Sequence, residues 1–355
     1  MKKNVCVLFG GISPEHAISL RSAQFVLSNL DPEKYEVFPV GITKEGKWYL
    51  YGSCDYAQLP GGYWEECSEN LPAAISPVRG EGLLVFGSEG VTKYPLDVVF
   101  PMLHGENGED GAMQGLLQLA GIPYVGPHVS ASAVAMDKTL TKLVVDQAGL
   151  PQAAWQLVRA SELQHHSQAI LDKLEGRFRY PMFVKPAGTG SSVGVSKATD
   201  REALEKALLH AAKFDKKVLV EEFIHGREVE VAVMGNDSPV ASFCGEIDSG
   251  ADFYDYDAKY VTDTSVAYIP ARIDEEVGEQ VRDAAVKIYQ AIGCQGLSRV
   301  DFFVTYEDNR VVFNEINTLP GFTSISMYPK LFEASGFGSM ELIDKLLELA
   351  QEAAQ

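Results

Sequence analysis

The chain has no CxxC pair. Its five cysteines (Cys6, Cys54, Cys67, Cys244 and Cys294) are odd in number and scattered, which excludes an obvious disulfide framework or zinc ribbon and suits a reducing compartment. Positive charge is scarce: 30 Lys and Arg stand against 49 Asp and Glu, a formal net charge of −19. That balance argues against holding nucleic acid through nonspecific phosphate contacts. It leaves room for a small anion, because a few lysines gathered in a pocket outweigh distant surface carboxylates. Long apolar runs are missing too. None approaches the roughly 18 residues of a membrane helix, and Val5–Phe9 before Gly10-Gly11 is too short for the apolar region of a signal peptide. Gly10-Gly11 also lacks the GxGxxG spacing of a dinucleotide-binding turn, which leaves little support for a dehydrogenase. What remains is a chain of 355 residues, 46% hydrophobic and 22% charged, able to bury the cores of two or three domains. The expectation is a soluble cytoplasmic protein that binds neither nucleic acid nor membrane.

No repeat or low-complexity tract divides the chain, so domain borders come from the order of elements. Asn4–Phe9 reads as an apolar strand ending in a glycine turn, and Leu20, Ala23, Leu27 and Leu30 then share one helical face. Tyr35–Thr43 and Lys47–Tyr51 read as strands, and Asp97–Leu103 as a buried one. Met113, Leu116, Leu117 and Ala120 follow helical spacing up to a stop at Gly121. This alternation predicts a mostly parallel α/β domain over residues 1–126, with ligand-facing loops at the carboxyl ends of strands, where Glu15 and His104 fall. A helix capped by Asp137 follows, with Leu140, Leu143 and Val144 expected inward. The rest reads as α+β: strands near Pro181–Lys185, Val218–Ile224, Glu228–Met234 and Pro239–Gly245, a long helix over Asp274–Ile292, a hairpin over Leu297–Ile316, and a last helix from Met340.

The hairpin permits a geometric reading. With its turn centred on Asp308, residues whose numbers sum to 616 face each other, so Asp301 opposes Glu315. Period-two alternation puts Arg299 on the face of Asp301, and Asn317 on the face of Glu315. Directly opposed side chains have β-carbons about 4.5–5.5 Å apart, and like charges there repel. Two carboxylates and an amide oxygen on one face make a hard-oxygen site suited to Mg²⁺. The alternative is an ordinary acidic face open to water, which the flanking Val300, Phe302, Phe303 and Phe313 weaken.

Other segments carry chemistry less specifically. After Phe183-Val184-Lys185-Pro186 comes a loop rich in glycine with hydroxyls at Ser191 and Ser192. Its backbone N–H groups could cradle phosphate oxygens, although such loops also serve as plain connections. Lys185, at the end of an apolar strand, needs an anionic partner; Lys138 is either a second phosphate lysine or a solvated helix residue. The run Val218-Leu219-Val220-Glu221-Glu222-Phe223-Ile224, with Glu228 beyond, could line a purine and ribose pocket or simply end a strand in solvated acids. His104 and the glycines after it could approach a small ligand, with Asp110 capping the next helix. Tyr254–Tyr260, aromatic yet hydrophilic, has the composition of a lid that excludes water.

Taken together, the segments FGGISPEHAIS, HGENGEDGAMQG, MDK, FVKPAGTGSSVGVSK, VEEFIHGRE, FYDYDAKY, LSRVDFF and NEINTLPGFTSISMYPKL resemble the ATP-grasp superfamily and, within it, the D-alanine–D-alanine ligase family, from about residue 4 to 350. The resemblance implies a three-domain ATP-grasp fold, α/β and α+β, with an N-terminal parallel α/β domain (1–126), a central subdomain (127–220) and a C-terminal one (221–355). It implies ATP between the last two, in contact with Lys138, Lys185, Ser192, Glu221, Glu222, Phe223, Ile224, Glu228, Phe303 and Asn314. Two Mg²⁺ or Mn²⁺ ions would sit on Asp301, Glu315 and Asn317. Glu15 would hold the ammonium group of a first D-alanine, joined in a hydrogen-bonded triad with Ser191 and Tyr260. His104 and Lys259 would lie near substrate, Arg299 would stabilise developing negative charge, and Ser326, Gly321 and Met327 would meet the second D-alanine. A homodimer is implied as well.

Two positions depart from the family's common pattern: Ala17, where relatives commonly carry glutamate, and the wording Ala187-Gly188-Thr189. Neither removes a group assigned to chemistry. The nearest alternatives change the second substrate, since members adding D-serine tend to carry arginine where Met327 sits, and those adding D-lactate carry histidine where Tyr260 sits. Another ATP-grasp carboxylate–amine ligase is a further alternative. A regulator that only binds ATP would require the loss of chemistry groups that are present here.

Overall fold

The computed structural model describes residues 2–248 and 266–354. The segment expected to form a lid, Tyr254–Tyr260, lies outside the described residues, and Lys259 and Tyr260 with it.

Three sheets organise the described residues. The first contains β1 (Lys3–Gly10), β2 (Tyr35–Ile42), β3 (Trp48–Leu50), β4 (Leu71–Ile75), β5 (Leu83–Gly87), β6 (Gly90–Tyr94) and β7 (Val98–Met102), side by side in the order 6-5-4-3-2-1-7. β1 lies parallel to β2 and β7. The neighbours from β2 to β6 are antiparallel. The parallel sheet expected here is therefore confined to three strands at one end, β2, β1 and β7, and residues 48–94 extend it with antiparallel strands. The sequence hardly announces β4 to β6, because they are short and β6 is largely exposed. β1 is covered on both sides: Val5, Val7 and Phe9 face a core shared with α1 (His16–Ser28), while Cys6 and Leu8 face one shared with α2 (Ala112–Ala120). That double burial explains its unbroken apolar run. At its end Gly10 has a φ of 86°, and a β-carbon there would run into the Ile42 carbonyl oxygen, so the turn that aims the next loop requires glycine.

α3 (Val129–Met136) and α4 (Lys138–Gln147) lead to the second sheet. Asp137 caps α4 by accepting the N–H groups of Thr139 and Leu140. The inward face differs from the expected one: Leu140 and Leu143 are 42% and 54% exposed, while Thr139, Thr141, Lys142 and Val145 are buried. Polar pairing sets this orientation, since the Thr141 hydroxyl donates to the Val134 carbonyl at 2.7 Å and Lys142 meets a buried carboxylate.

The second sheet holds β8 (Trp155–Arg159), β9 (Met182–Pro186), β10 (Ser196–Ala198) and β11 (Lys217–Glu222), in the order 10-9-11-8 and antiparallel throughout. Met182, Val184, Val218 and Val220 pack against α5 (Ala160–Arg177) and α6 (Arg201–Ala211). Alternation therefore turns Phe183, Lys185, Leu219 and Glu221 to the opposite face. β11 runs on to Glu222, past residue 220.

The third sheet holds β12 (Gly226–Met234), β13 (Val240–Asp248), β14 (Val266–Tyr268), β15 (Leu297–Thr305) and β16 (Val311–Asn317), in the antiparallel order 14-13-12-15-16. Val229, Val231, Val300, Phe302, Phe313 and Ile316 pack against α7 (Glu275–Ile292). The other face presents Glu228, Glu230, Arg299, Asp301, Glu315 and Asn317. α8 (Met327–Ala334) and α9 (Ser339–Ala353) then return to the first sheet. Tyr328, Leu342, Leu346 and Leu347 join Val5, Val7 and Phe100 in one core, and Lys34 pairs with Asp344 at 2.5 Å. The two ends of the chain are thus packed together.

Candidate active site

The inner faces of the second and third sheets enclose a first cavity. Its wall carries Lys138, Lys185, Ser192, Glu221, Glu222, Phe223, Ile224, Glu228, Phe303 and Asn314, all of the residues expected to touch nucleotide. One end is apolar: Ile224 clusters with Ala153, Val312 and Phe303, and the rings of Phe183 and Phe223 stack with centroids 6.0 Å apart. Such a slot suits a flat aromatic ring. The other end is cationic. The Lys185 ammonium lies 2.7 Å from one Glu221 oxygen, and Lys142 lies 2.5 Å from the other. Burial alone would raise the Glu221 pKa, yet the two lysines bring it down to about 2. Lys138 donates to the Thr189 carbonyl at 2.6 Å, which ties it to the Gly/Ser loop. In that loop Ser191 and Ser192 adopt φ values of 49° and 59°, a left-handed conformation that side chains other than glycine rarely take.

A second cavity opens beside the first. Glu15, Ser191, His104, Arg299, Asn317, Gly321, Ser326 and Met327 line it, drawn from the first sheet's loops, the Gly/Ser loop, the third sheet and the segment before α8. The Ser191 hydroxyl donates a hydrogen bond to a Glu15 carboxylate oxygen, joining segments 176 residues apart. Ser326 accepts the Thr323 N–H at 3.0 Å. Gly190, Ser191 and Glu315 line both cavities, which therefore meet at that point.

His104 has both ring nitrogens engaged. Nδ1 lies 2.9 Å from the Leu319 carbonyl oxygen and Nε2 lies 3.0 Å from the Ser22 hydroxyl, which also accepts the Phe322 N–H at 3.1 Å. Only the tautomer with its proton on Nδ1 can donate to that carbonyl, so Nε2 accepts from Ser22. Burial lowers the ring's pKa and keeps it neutral. Glu109 holds the other side of the same peptide: one oxygen accepts the Leu319 N–H at 3.0 Å and the other the Gly105 N–H at 2.8 Å. Burial and the nearby Glu15 push the Glu109 carboxyl up to about 8, against the pull of its two amide donors.

The hairpin register puts Asp301 opposite Glu315 and Arg299 opposite Asn317. The route to that pairing is not the expected one. Nearer the turn Phe302 faces Phe313 and Val304 faces Val311, so those numbers sum to 615, and a bulge between Asp301 and Phe302 restores the other register. Asn314 is the extra residue, and its side-chain oxygen lies 3.4 Å from the Lys185 ammonium. Arg299 donates to both oxygens of Asp301 at 2.8 Å and lies 3.1 Å from Glu230. Burial disfavours its charge, yet Asp301, Glu230 and Glu315 hold its pKa well above the ordinary value. Three carboxylates around one guanidinium leave a negative surplus on hard oxygen donors, which fits a divalent cation. Asp301 is 6% exposed and lies below the cavity walls, bound also by the Asn317 amide at 3.0 Å.

The residues that sequence reasoning missed are buried polar groups with distant partners. Glu230 shares the alternation of Glu228, and Glu109 lies within the motif that contains His104, so both had a signal. Lys142 and Ser22 had none, because their meaning lies in Glu221 and Phe322, far along the chain.

Comparison with known proteins agrees across the chain. The family model "D-ala D-ala ligase N-terminus" matches residues 4–127, and "D-ala D-ala ligase C-terminus" matches residues 144–348. A protein of Acetivibrio thermocellus named D-alanine--D-alanine ligase is 51% identical over 98% of this chain and 96% of its own. A protein of the same name from Ruminiclostridium cellulolyticum is 50% identical over 99% of this chain and 96% of its own. Among solved structures, the VanG D-Ala:D-Ser ligase from Enterococcus faecalis aligns with a TM-score of 0.89 at 39% identity, covering 99% of this chain and 100% of that one. The D-alanine-D-alanine ligase from Coxiella burnetii aligns with a TM-score of 0.86 at 37% identity, over 100% of this chain and 96% of that one. No helix among the described residues is long and apolar enough to cross a membrane.

Proposed function

The chain belongs to the D-alanine–D-alanine ligase family, and on that premise we propose how its two cavities divide the work. It is an ATP-dependent ligase that joins two D-alanines, on an ATP-grasp fold. The observation that carries the reading is the meeting of the cavities at Gly190, Ser191 and Glu315, where a phosphoryl group could pass from one to the other.

A carboxylate is a poor electrophile for an amine, so the first D-alanine takes the γ-phosphoryl group of ATP on its carboxylate oxygen, breaking the bond to the β–γ bridging oxygen and releasing ADP. The neutral amine of the second D-alanine attacks that acyl phosphate, and the tetrahedral intermediate expels phosphate to leave a peptide bond. Phosphoryl transfer relies on positioning and electrostatics. In this scheme Lys138, Lys185 and Ser192 hold the phosphates, and the wall from Glu221 to Glu228, with Phe303 and Asn314, holds the base and sugar. Glu15 takes the first ammonium group, with Ser191 and Tyr260 in its triad. Arg299 faces the charge that develops on the acyl group. Gly321, Ser326 and Met327 receive the second D-alanine, His104 sets the loop that carries them, and Lys259 would contribute to substrate binding. Asp301, Glu315 and Asn317 would hold two Mg²⁺ or Mn²⁺ ions, whose chemistry is to offset charge on the transferring group. A lid at Tyr254–Tyr260 would keep water from the acyl phosphate. The enzyme would act in the cytoplasm as a homodimer and supply the dipeptide for peptidoglycan precursors in cell wall biogenesis.

Phosphate release from ATP with D-alanine against L-alanine, with identification of the product, tests the assignment. D-alanine-dependent release and D-alanyl-D-alanine are expected; release with some other acid alone refutes it. The similarity to a structure named as a D-Ala:D-Ser ligase supports a second reading. Competition between D-alanine and D-serine at fixed pH decides, and Met327 favours D-alanine.

A further inference from the structure

Lys142 takes no part in the chemistry above. It sits off the cavity wall, its side chain 2% exposed, with the ammonium 2.5 Å from one Glu221 oxygen. Gln152 anchors it from behind: its carbonyl oxygen lies 3.4 Å from the ammonium and its amide donates to the Lys142 carbonyl at 2.8 Å. Lys185 holds the other Glu221 oxygen, but it lines the cavity and is more exposed, at 15%. The two lysines are therefore unequal: one is fixed in the interior, and the other reaches the place where phosphates would lie. A phosphate that draws Lys185 away from Glu221 would strand a buried carboxylate if Lys185 were its sole partner.

We propose that Lys142 is the resident counter-ion of Glu221, a positioning residue that makes Lys185 available to the nucleotide. The proposal rests on reading the first cavity as the ATP site. Without Lys142 the pair Glu221–Lys185 is neutral and self-satisfied, and a nucleotide must compete with Glu221 for the lysine. With Lys142 present, three charged groups carry one net positive charge toward the phosphates, and Glu221 keeps a partner when Lys185 turns.

Calorimetric titration with a non-hydrolysable ATP analogue and Mg²⁺, on the full chain without D-alanine, tests this. Lys142→Met should weaken analogue binding by at least about tenfold, with recovery toward wild type in Lys142→Arg. In a Glu221→Gln background the same change should alter affinity less than about threefold, because no buried anion is left to compensate. An equal loss in both backgrounds, or unchanged affinity of a folded Lys142→Met variant, overturns the proposal. Should Lys142→Met fail to fold, comparison of Glu221→Gln with the double variant still decides, since a tenfold difference there refutes it. Wild-type protein that binds the analogue but turns over no D-alanine would sink the substrate assignment alone.

Discussion

Ser22→Ala should loosen the second-substrate loop from a distance. The Ser22 side chain is fully buried on α1 and touches no cavity wall, yet its hydroxyl is the partner of His104 Nε2 and of the Phe322 N–H. Removing one oxygen therefore leaves two buried polar groups without partners. Each such loss costs about 1–3 kcal/mol, so the change should destabilise the protein by about 2–6 kcal/mol. Alanine fits the space, so packing adds little. The kinetic effect should be selective. Phe322 lies between Gly321 and Ser326, and the Leu319 peptide remains held by Glu109 and His104 Nδ1, so the segment shifts rather than detaches. Denaturant melts together with initial rates over a range of D-alanine concentrations would measure both effects. The KM for the second D-alanine should rise several-fold while the KM for ATP stays within about twofold. A melting temperature within about 1 °C of wild type, together with unchanged KM values, would refute the assigned tautomer and the relay through Ser22.

Other perturbations address the remaining parts of the site. Asp301→Asn keeps shape but sets an amide against a guanidinium that now donates to both carboxylate oxygens; turnover at limiting Mg²⁺ should fall by roughly 100-fold or more with a near-native melt, and near-normal rates would contradict the metal site. Glu15→Gln should raise the KM for the first D-alanine about tenfold while analogue binding holds, whereas equal loss of both would mean misfolding. Glu221, with its pKa brought down to about 2 from 4.5, stabilises the fold above pH 4.5, and that contribution is lost as pH falls toward 2, because the unfolded chain binds the proton first. Glu221→Gln should therefore flatten the stability–pH curve in that window; a slope identical to wild type would refute the pairing.

The hairpin shows how far the sequence could be read. Alternation and a turn near Asp308 suffice to pair Asp301 with Glu315, because an offset of one residue at the turn is undone by a bulge of one residue at Asn314. The pairing was legible; the bulge was not, since it answers to Lys185 on another sheet. α4 shows the opposite case. Its leucines invite an inward assignment, but they face outward because Thr141 and Lys142 have buried partners, and a buried charge without its partner costs more than two exposed leucines. Of strands β4 to β6 only β6 is an exposed edge, which needs no apolar alternation; β4 and β5 do alternate, at Ala73 and Ile75 and at Leu83 and Val85, but over five residues each the pattern is too short to stand out. Residues at strand ends, such as Glu15, His104 and Lys185, stood out because an interruption of an apolar run is itself the signal.

The net charge of −19 and an anionic co-substrate are reconciled by distance. Surface carboxylates beyond a Debye length, about 10 Å at 0.1 M salt, are largely screened from a partly buried ligand. What a triphosphate would meet is local: on the second sheet, Glu221 between Lys142 and Lys185 with Lys138 nearby; across the cavity, Glu228 and Glu315 of the third sheet. A bare triphosphate would be attracted by the first face and repelled by the second. A triphosphate carrying divalent cations presents both signs, and can satisfy both faces at once. Neither sheet is charged for a simple anion, so the alternation of charge across the cavity argues for a metal–nucleotide complex more strongly than either face does alone.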